Sequence, residues 1–425
     1  MNAMAKQDDR QLALRTWQHA AIFLFACAVI VARRPDAILN AQFCNEDGHV
    51  FFAEAYNYSW WTALFRSYEG YYHAFPRLGA SLSLLVPLAL APLVLNLFAI
   101  GIQALPANLL LSSRSSAWGS LRFRSLLAGI YLALPNTREM SNGISQSQWF
   151  LALCAFLLLA AITPKSVAGR ILDLSILLLC GLTGPFCIFL FPIVLFLAWR
   201  RRDPWHWTEV CVVAACCFLQ AWGLFSGGFS GRPHFALGAS PALFARILAG
   251  QVFLSTLIGG NGLAAHSNPQ LLIFLICVAG GGIAIAVICF AASTLEMRLF
   301  LVLSSMILAA SLISPTAYPP AGISMWDLLA GAVGIRYWYF PTLAFAWSIL
   351  WCFRSGEVML KSVSAILLCL MCFGIIRDWA HPAYQDMHFA EYAKQVEIAP
   401  AGTVVTIPEN QPGWNLQLVK RLPGR

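Results

Sequence analysis

Two adjacent carboxylates, Glu46 and Asp47, are the residues of this sequence best suited to chemistry. They follow closely on the first long apolar run, residues 17–32, and stand in a polar loop that extends to residue 80. A carboxylate within hydrogen-bond reach of a hydroxyl group can accept its proton as a general base. Because adjacent residues on a helix point about 100° apart, we expect one of the two carboxylates to face a site.

The loop that carries this pair also fits a simpler interpretation. The spacing of His49, Phe52, Ala53 and Tyr56 suits an amphipathic helix that lies at a membrane surface. Its aromatic residues suit the headgroup region. On this interpretation, the charges of the loop are only solvated.

Other candidate binding residues share a position in polar segments that border apolar runs: Tyr72, His73, Arg77, Arg138, Gln146 and Arg336. Each arginine has an alternative role as an anchor, whose charge reaches the headgroups while its stem packs on apolar surface. His73 has an alternative role as filling at the interface. The loop at residues 136–148 holds more polar groups than a plain turn needs.

The position of the acidic pair resembles that in the GT-C superfamily of membrane glycosyltransferases. Those enzymes carry an acidic motif in the first external loop, just after the first helix, and use polyprenyl-phosphate sugars as donors. The resemblance rests on Glu46 and Asp47, on many helices with short cytoplasmic loops, and on a polar C-terminal segment outside. It implies an enzyme of a bacterial inner membrane that transfers a sugar on the external face. The large soluble domain of many members has no counterpart in residues 378–425, so the implied acceptor is a glycan or a lipid.

The resemblance also implies roles for the candidate residues. Asp47 is then the expected base, and Glu46 shares that role or orients the acceptor. The leaving group would be an anionic lipid phosphate, which arginine can bind in a bidentate manner. The neutral groups of loop 136–148 would bind sugar hydroxyls. The expected substrate-binding residues are thus Arg336, Arg138, Arg77, His73, Tyr72 and Gln146. A divalent metal is compatible with this chemistry, but the sequence offers no clear ligand set.

The elements that must position these residues are membrane helices. Hydrophobic residues make up 59% of the chain and charged residues 11%, whereas about 25% is typical of soluble domains. Several apolar runs approach the roughly 20 residues that span a bilayer. The net charge of +8 lies in short basic clusters between these runs, which favours a role in membrane orientation over nucleic-acid binding. The fold class predicted is an all-α polytopic membrane protein.

We predict about eleven transmembrane helices. They lie at 17–33, 78–100, 125–135, 147–163, 171–183, 185–199, 208–225, 270–292, 298–313, 337–353 and 362–377. They divide the chain into a transmembrane domain, residues 1–377, with an external loop at 34–77, and an external tail at 378–425. Short or broken helices at membrane depth require cover by protein or a cavity, so we expect a buried cavity beside them.

Basic clusters set the predicted orientation. The short segments 112–124, 164–170, 200–202 and 354–361 are basic and belong in the cytoplasm. This places the N-terminus in the cytoplasm and the tail outside. If the apolar stretch 247–263 were counted as a span, residues 354–361 would lie outside. We therefore interpret that stretch as an amphipathic or re-entrant element on the outer face.

The tail is the segment that is polar enough to fold in water. Residues 403–407 and 415–419 have the pattern of two short strands, with turn residues between them. Because two strands alone are only marginally stable, we expect the tail to dock on the external loops.

Two other classes of function stay open. A transporter or flippase of a lipid-linked saccharide would also show polar external loops and broken helices. It would usually show internal repeats and charges deep in several helices, whereas we find no repeat and place Asp173 near the cytoplasmic end of its helix. A non-catalytic membrane scaffold would make no demand on Asp47.

Overall fold

The computed structural model of the protein describes residues 14–141, 143–228, 235–260, 271–331, 333–410 and 413–421. This part of the chain is mostly helical, with two small antiparallel sheets of two strands each. Within it, seven helices are long and apolar enough to cross a membrane, which indicates an integral membrane protein. They are Thr16–Arg33, Leu88–Leu111, Pro204–Ser226, Pro241–Ile258, Leu272–Ala292, Leu295–Ile313 and Val358–Arg377.

The α-helices are numbered here in chain order. The first eleven are α1 Thr16–Arg33, α2 Asp36–Leu39, α3 Ala53–Asn57, α4 Trp60–Leu64, α5 Ala74–Ser83, α6 Ala91–Leu111, α7 Leu121–Ala133, α8 Ser147–Ala160, α9 Val167–Gly181, α10 Phe186–Arg201 and α11 Pro204–Gly223. The following ones are α12 Pro241–Ile247, α13 Ser255–Ile258, α14 Leu272–Ala292, α15 Leu295–Ile313, α16 Met325–Leu329, α17 Tyr339–Cys352, α18 Val358–Arg377 and α19 Phe389–Ile398. The strands are β1 Ser67–Tyr68, β2 Tyr71–Tyr72, β3 Val404–Pro408 and β4 Asn415–Val419.

Several shorter helical turns join these elements. A π-helical turn, Asp47–Phe52, leads into α3, and a second one, Leu248–Leu254, joins α12 and α13 into one rod. Turns of 3-10 helix lie at Leu88–Leu90, Ser113–Trp118, Arg138–Met140, Ile144–Gln146 and Ile335–Trp338.

Local sequence signals fix where helices begin. The Asp203 side chain accepts a hydrogen bond from the Trp205 amide at 3.0 Å and so caps α11, while Pro204 takes the first helical position. A proline fits there because its missing N–H would have had no partner in the helix. Ser120 caps α7 in the same manner through the Phe123 amide.

Polar contacts at helix termini define two ends of the bundle. At the upper end, the guanidinium of Arg33 donates to the Leu132 and Leu134 carbonyls beside α7 and to the Asp378 carbonyl after α18. At the lower end, Arg201 donates to the Ala160 and Ala161 carbonyls at the end of α8. Helices α1, α7 and α18 therefore end at one side, and α8 and α10 end at the other.

Two helices form the centre of the bundle. Every residue of α8 is buried except Gln148, and every residue of α17 is buried except Trp351. Their aromatic rings pack with those of neighbouring elements, as in the contact of Trp347 with Trp118 at 5.5 Å between ring centroids. The outer helices expose apolar side chains, as expected for a surface that contacts lipid, among them Phe218, Trp222, Ile273, Val287 and Ile366.

The predicted count of eleven spans is not supported by helix length and composition. Six of the eleven predicted helices match ones that are long and apolar enough to span. The other five correspond to α7, α8, α9, α10 and α17, which are 13 to 16 residues long. At 1.5 Å per residue, such a helix covers about 20–24 Å, less than the roughly 30 Å of a typical hydrocarbon core.

The predicted second helix, at residues 78–100, is wrong in its bounds. The chain forms α5, turns at residues 84–87, and starts the long apolar helix at Leu88. Pro87 explains the break, since proline cannot donate the backbone hydrogen bond of a helix interior. In the following helix, Asn96 donates to the Ala37 carbonyl at 2.9 Å, which ties this helix to the chain just after α1.

The rod Pro241–Ile258 is long and apolar enough to span, but both of its flanks contact the upper end. Before the rod, the Ala236 and Leu237 carbonyls accept hydrogen bonds from the amides of Met325 and Trp326, and the Trp326 indole donates to the Leu312 carbonyl at the end of α15. After the rod, the Gly260 amide donates to Asp378 at 2.7 Å. The segments on both sides of the rod thus contact the upper end of the bundle, and whether the rod is re-entrant stays a prediction. Residues 261–263 of the predicted stretch 247–263 lie outside the described residues.

The tail folds as predicted into two strands that dock on the first loop. Strands β3 and β4 pair in antiparallel fashion, within one residue of the predicted bounds. The tail contacts the acidic loop directly, because Cys44 and Asn410 form a bridge in parallel orientation. Asn57 donates to the Gln417 carbonyl at 2.8 Å, and the Arg421 guanidinium donates to the Tyr56 carbonyl at 2.6 Å.

Candidate functional site

A cavity of about 880 Å³ opens at the upper end of the bundle, beside the acidic pair. Its polar side is formed by the ends of loops and short helices, with Arg34, Glu46, Arg138, Gln146 and Arg336 among the lining residues. Its apolar side is formed by helix ends, with Phe186, Phe189, Leu224, Ile307 and Ala310 among the lining residues. The cavity is large enough for a drug-sized ligand and joins both kinds of surface.

Glu46 is the carboxylate of the acidic pair that faces this cavity. It is only half-buried, and it makes no hydrogen bond or ion pair with the described residues. Asn45, which precedes it, has a left-handed backbone with φ of 54°. The π-helical turn then begins at Asp47. This irregular backbone sends the two neighbouring side chains in different directions.

Asp47 does not line the cavity and is 2% exposed. Its carboxylate accepts a hydrogen bond from the Ile144 amide at 3.0 Å and another from the Ser145 amide at 2.9 Å. Burial raises the pKa of Asp47 to about 7, although both amides act against this rise. Asp47 therefore links the acidic loop to the segment before α8. The assignment of Asp47 as the base stays a prediction. Its contacts are those of a residue that fixes the backbone of Ile144 and Ser145.

Two of the three predicted phosphate-binding arginines line the cavity. Arg336 donates to a Glu139 carboxylate oxygen at 2.6 Å and to the Thr316 carbonyl at 2.9 Å. Its side chain is 27% exposed and that of Glu139 is 21% exposed, so the pair remains accessible to a ligand. Arg138 is exposed, and its guanidinium has no hydrogen bond or ion pair in the described part of the chain.

Arg77, the third predicted phosphate-binding arginine, lies elsewhere, and its role stays a prediction. Arg77 is fully buried and does not line the cavity, because it donates to Glu54 at 2.7 Å under the first loop and packs on the ring of Phe51. Tyr72 also does not line the cavity. Its backbone is held by Gln220, which accepts from the Tyr72 amide at 2.9 Å.

Arg34 lines the cavity although it is not among the residues predicted from the sequence. It is 6% exposed, donates to the Ser141 carbonyl at 3.0 Å, and lies 4.4 Å from the ring centroid of Tyr384. A sequence signal does exist. Arg33 and Arg34 end an apolar helix on the side predicted to be external, where positive charge next to a transmembrane helix is unusual.

Neutral polar groups form a further part of the wall. His73 and Gln146 are each 4% exposed and line the cavity, together with Gln148 and Trp149, while their predicted role in substrate binding stays a prediction. Burial, and to a smaller extent the charge of Arg77, lowers the pKa of His73 to about 3, so its imidazole is neutral. The predicted polar loop thus supplies cavity-lining groups, although Asn142 lies outside the described residues.

The tail closes one side of the cavity. Trp414 and Tyr384 both line it, and the Tyr384 hydroxyl donates to the Ser141 carbonyl at 3.1 Å. His49 lies 2.9 Å from the Glu409 carboxylate and packs edge-on against Trp414. A Cβ atom at Gly48 would overlap the Glu409 carboxylate, so the close approach of the tail requires glycine there. The sequence predicted that the tail docks, but not that it forms part of the cavity.

Among the described residues, no group of three or more His, Cys, Asp or Glu side chains is arranged to hold a metal ion. Comparison of the chain with protein-family models and with curated proteins finds no match. The case for a function therefore rests on the cavity itself.

Proposed function

We propose that this protein is a membrane glycosyltransferase of the GT-C type, which moves a sugar from a polyprenyl-phosphate donor to a glycan or lipid acceptor. The observation that carries the proposal is one cavity in which an unpaired carboxylate, Glu46, is accompanied by the arginines Arg34, Arg138 and Arg336. A base and a cluster of cations are the two things that such a transfer requires.

The reaction assigns a part to each group. An acceptor hydroxyl oxygen forms a bond to the anomeric carbon, and the bond from that carbon to the phosphate oxygen breaks. The electron pair of the broken bond leaves with the lipid phosphate, and the hydroxyl proton passes to a carboxylate. We assign this base to Glu46 and not to Asp47, because Asp47 is engaged with two backbone amides behind the wall. Arg336 and Arg138 stabilise the charge that develops on the phosphate.

The apolar side of the cavity supports a lipid donor over a water-soluble sugar nucleotide. Phe186, Phe189 and Leu224 face the same space as the arginines, together with Ile307 and Ala310. An isoprenoid chain can lie against this surface while its phosphate meets the cations. A soluble donor would leave this apolar area in contact with water.

We further propose that eleven helices cross the membrane, with the lower end in the cytoplasm, the tail outside, and the protein in a bacterial inner membrane. Support comes from helix order, since the five short helices run between the same two ends as their long neighbours. Support for the orientation comes from the arginines at the lower end, of which Arg114 pairs with Asp173. Short helices there would need a locally thinned bilayer or cover by other helices.

The test measures release of polyprenyl phosphate, which does not require the acceptor to be known. Purified protein is incubated with polyprenyl phosphates that carry glucose, galactose, mannose or N-acetylglucosamine, in the presence of a lipid extract. We expect release by the wild type and a loss of about 10²–10⁴-fold in Glu46→Gln. Glu391→Gln, which changes an exposed glutamate on α19, is the matched control.

Two outcomes would overturn the proposal. Wild-type protein that releases no lipid phosphate from any of the four donors would exclude the reaction for this donor class. Movement of the intact lipid across a proteoliposome membrane, without bond cleavage, would favour a flippase instead. Full activity of Glu46→Gln would show that Glu46 is not the base, and Asp47 would then be the candidate.

A further inference from the structure

One wall of the cavity carries buried polar atoms that have no hydrogen-bond partner. They are Oε1 of Gln146, Oε1 of Gln148, Nε1 of Trp149 and both ring nitrogens of His73. All four residues line the cavity. Buried polar atoms in proteins are nearly always paired, and an unpaired one is destabilising. A cluster of them on one cavity wall therefore indicates a bound partner that supplies the missing hydrogen bonds.

The backbone holds these groups in place before any ligand binds. Gln146, Gln148 and Trp149 belong to one short stretch, from the 3-10 turn Ile144–Gln146 into the first turn of α8. The carboxylate of Asp47 fixes this stretch through the amides of residues 144 and 145. The indole of Trp149 is packed against the ring of Phe186 at 4.8 Å.

A second element brings His73 to the same wall. His73 forms an isolated antiparallel bridge with Thr183, next to Gly184. A Cβ atom at Gly184, whose φ is +77°, would overlap Oε1 of Gln148. Glycine at this position therefore allows Gln148, in the first turn of α8, to pack directly against the segment that pairs with His73. The four side chains are preorganised by backbone on both sides.

The chemistry of this wall selects a neutral ligand. The two amide oxygens accept hydrogen bonds, the indole N–H donates one, and a neutral imidazole can do either. Carbonyl oxygens repel an anion, so this wall does not suit a phosphate. A sugar ring suits it, because each hydroxyl group both donates and accepts.

We propose that His73, Gln146, Gln148 and Trp149 form a subsite for the sugar ring of the lipid donor, separate from the arginines that bind its phosphate. This inference rests on the proposed function, and it adds which residues distinguish a sugar-bearing lipid from the bare lipid. Asp47 is then a positioning residue, which acts through the stretch that carries Gln146 and Trp149.

The experiment compares the affinity of the purified protein for bare polyprenyl phosphate with its affinity for the same lipid that bears each of the four hexoses. The variants are Gln146→Leu, which removes the amide but keeps a side chain of similar size, and Trp149→Phe, which removes the indole N–H but keeps an aromatic ring. The matched control is Gln103→Leu, since Oε1 of Gln103 is also buried and unpaired but does not line the cavity. We expect the wild type to prefer at least one hexose-bearing lipid by about 10-fold.

Each variant should lose that preference and keep the wild-type affinity for the bare lipid. Gln146→Leu should also raise the thermal unfolding temperature of the free protein, because an unpaired buried atom is removed. Gln103→Leu should keep the preference for the hexose-bearing lipid. This control separates a subsite residue from one whose unpaired amide only affects stability.

The outcomes separate the subsite from the proposed function. If bare lipid binds well but no hexose increases the affinity, the subsite is wrong and the lipid donor class stands. If neither the bare lipid nor the hexose-bearing lipids bind the wild type, the proposed function itself fails. If Gln146→Leu and Trp149→Phe keep the preference, the sugar lies against another wall.

Discussion

The pair of Arg336 and Glu139 offers a direct test of the proposed binding of phosphate in the cavity. In the structure, a carboxylate oxygen of Glu139 occupies a position 2.6 Å from the Arg336 guanidinium, where a phosphate oxygen would bind. A lipid phosphate must therefore displace Glu139 or share the arginine with it. Two variants change this competition in opposite directions, because Arg336→Ala removes the cation and Glu139→Gln removes its competitor.

The two effects differ in size for a structural reason. A charge-assisted contact to phosphate is worth about 1.5–3 kcal/mol, so Arg336→Ala should weaken binding roughly 10- to 100-fold. The pair is partly exposed, at 27% and 21%, so its own ion-pair energy is at most about 1 kcal/mol. Glu139→Gln should therefore strengthen binding by no more than about 5-fold.

The assay is a fluorescence titration of purified protein with polyprenyl phosphate in detergent micelles, at low and at high salt. Arg336→Lys tests geometry, because it keeps the charge but loses the two-pronged contact. Arg122→Ala is the control, as Arg122 is exposed near the start of α7 at the lower end. Salt should weaken wild-type binding more than it weakens binding to Arg336→Ala.

One result would refute this reasoning. If Glu139→Gln weakened binding as strongly as Arg336→Ala, the pair would be a brace that holds the wall together, and the phosphate would bind elsewhere. Unchanged binding by a folded Arg336→Ala protein would reassign this arginine to anchoring at the headgroups.

The remaining predictions concern stability. Glu54→Gln should lower the free energy of unfolding by about 3 kcal/mol in a denaturant titration, because it leaves the buried charge of Arg77 unpaired, and it should leave lipid affinity unchanged; a stable variant with weak lipid binding would contradict this. Burial raises the pKa of Asp47 from 3.8 to about 7, so the folded protein binds this proton more tightly than the unfolded chain does. The contribution of Asp47 to unfolding free energy should therefore fall as the pH rises from about 4 to 7, and the difference between wild type and Asp47→Asn should show this slope; a difference that is constant with pH would disprove the assignment. Gly48→Ala should displace Glu409 and expose the tail, so that limited proteolysis cleaves residues 384–421 faster than in the wild type. If the variant resisted the protease as well as the wild type does, the tail would dock by other contacts.

Several elements follow from local sequence, and the structure confirms them. Helix α1 was expected at 17–33 and lies at Thr16–Arg33, because a continuous apolar run ends there at charged residues and a proline. The tail strands were found within one residue, since alternating residues flank a clear turn. The helix predicted at residues 78–100 has the wrong bounds because the apolar run continues through the turn at residues 84–87. Hydropathy does not mark this turn, which ends at Pro87.

The site was harder to predict because its geometry depends on irregular backbone and distant partners. Which carboxylate of the acidic pair faces the cavity depends on the left-handed Asn45 and on a π-helical turn, and neither follows from helical periodicity. Arg77 was assigned to phosphate because its partner Glu54, 23 residues away, leaves no periodic signal. Gln146, selected because the polar groups of its loop exceed what a turn requires, does line the cavity, and its role in binding stays a prediction.

The docked tail also sets the time at which the cavity can form during synthesis. Glu409 pairs with His49 across a separation of 360 residues, so the ribosome finishes the first loop long before it makes the segment that covers it. At 5–20 residues per second this delay is about 20–70 s. Every helix between the two must insert with the correct orientation, or the tail emerges on the wrong side of the membrane. Nascent and misinserted chains then lack Tyr384 and Trp414 in the cavity wall, so the complete cavity forms only in chains whose insertion has succeeded.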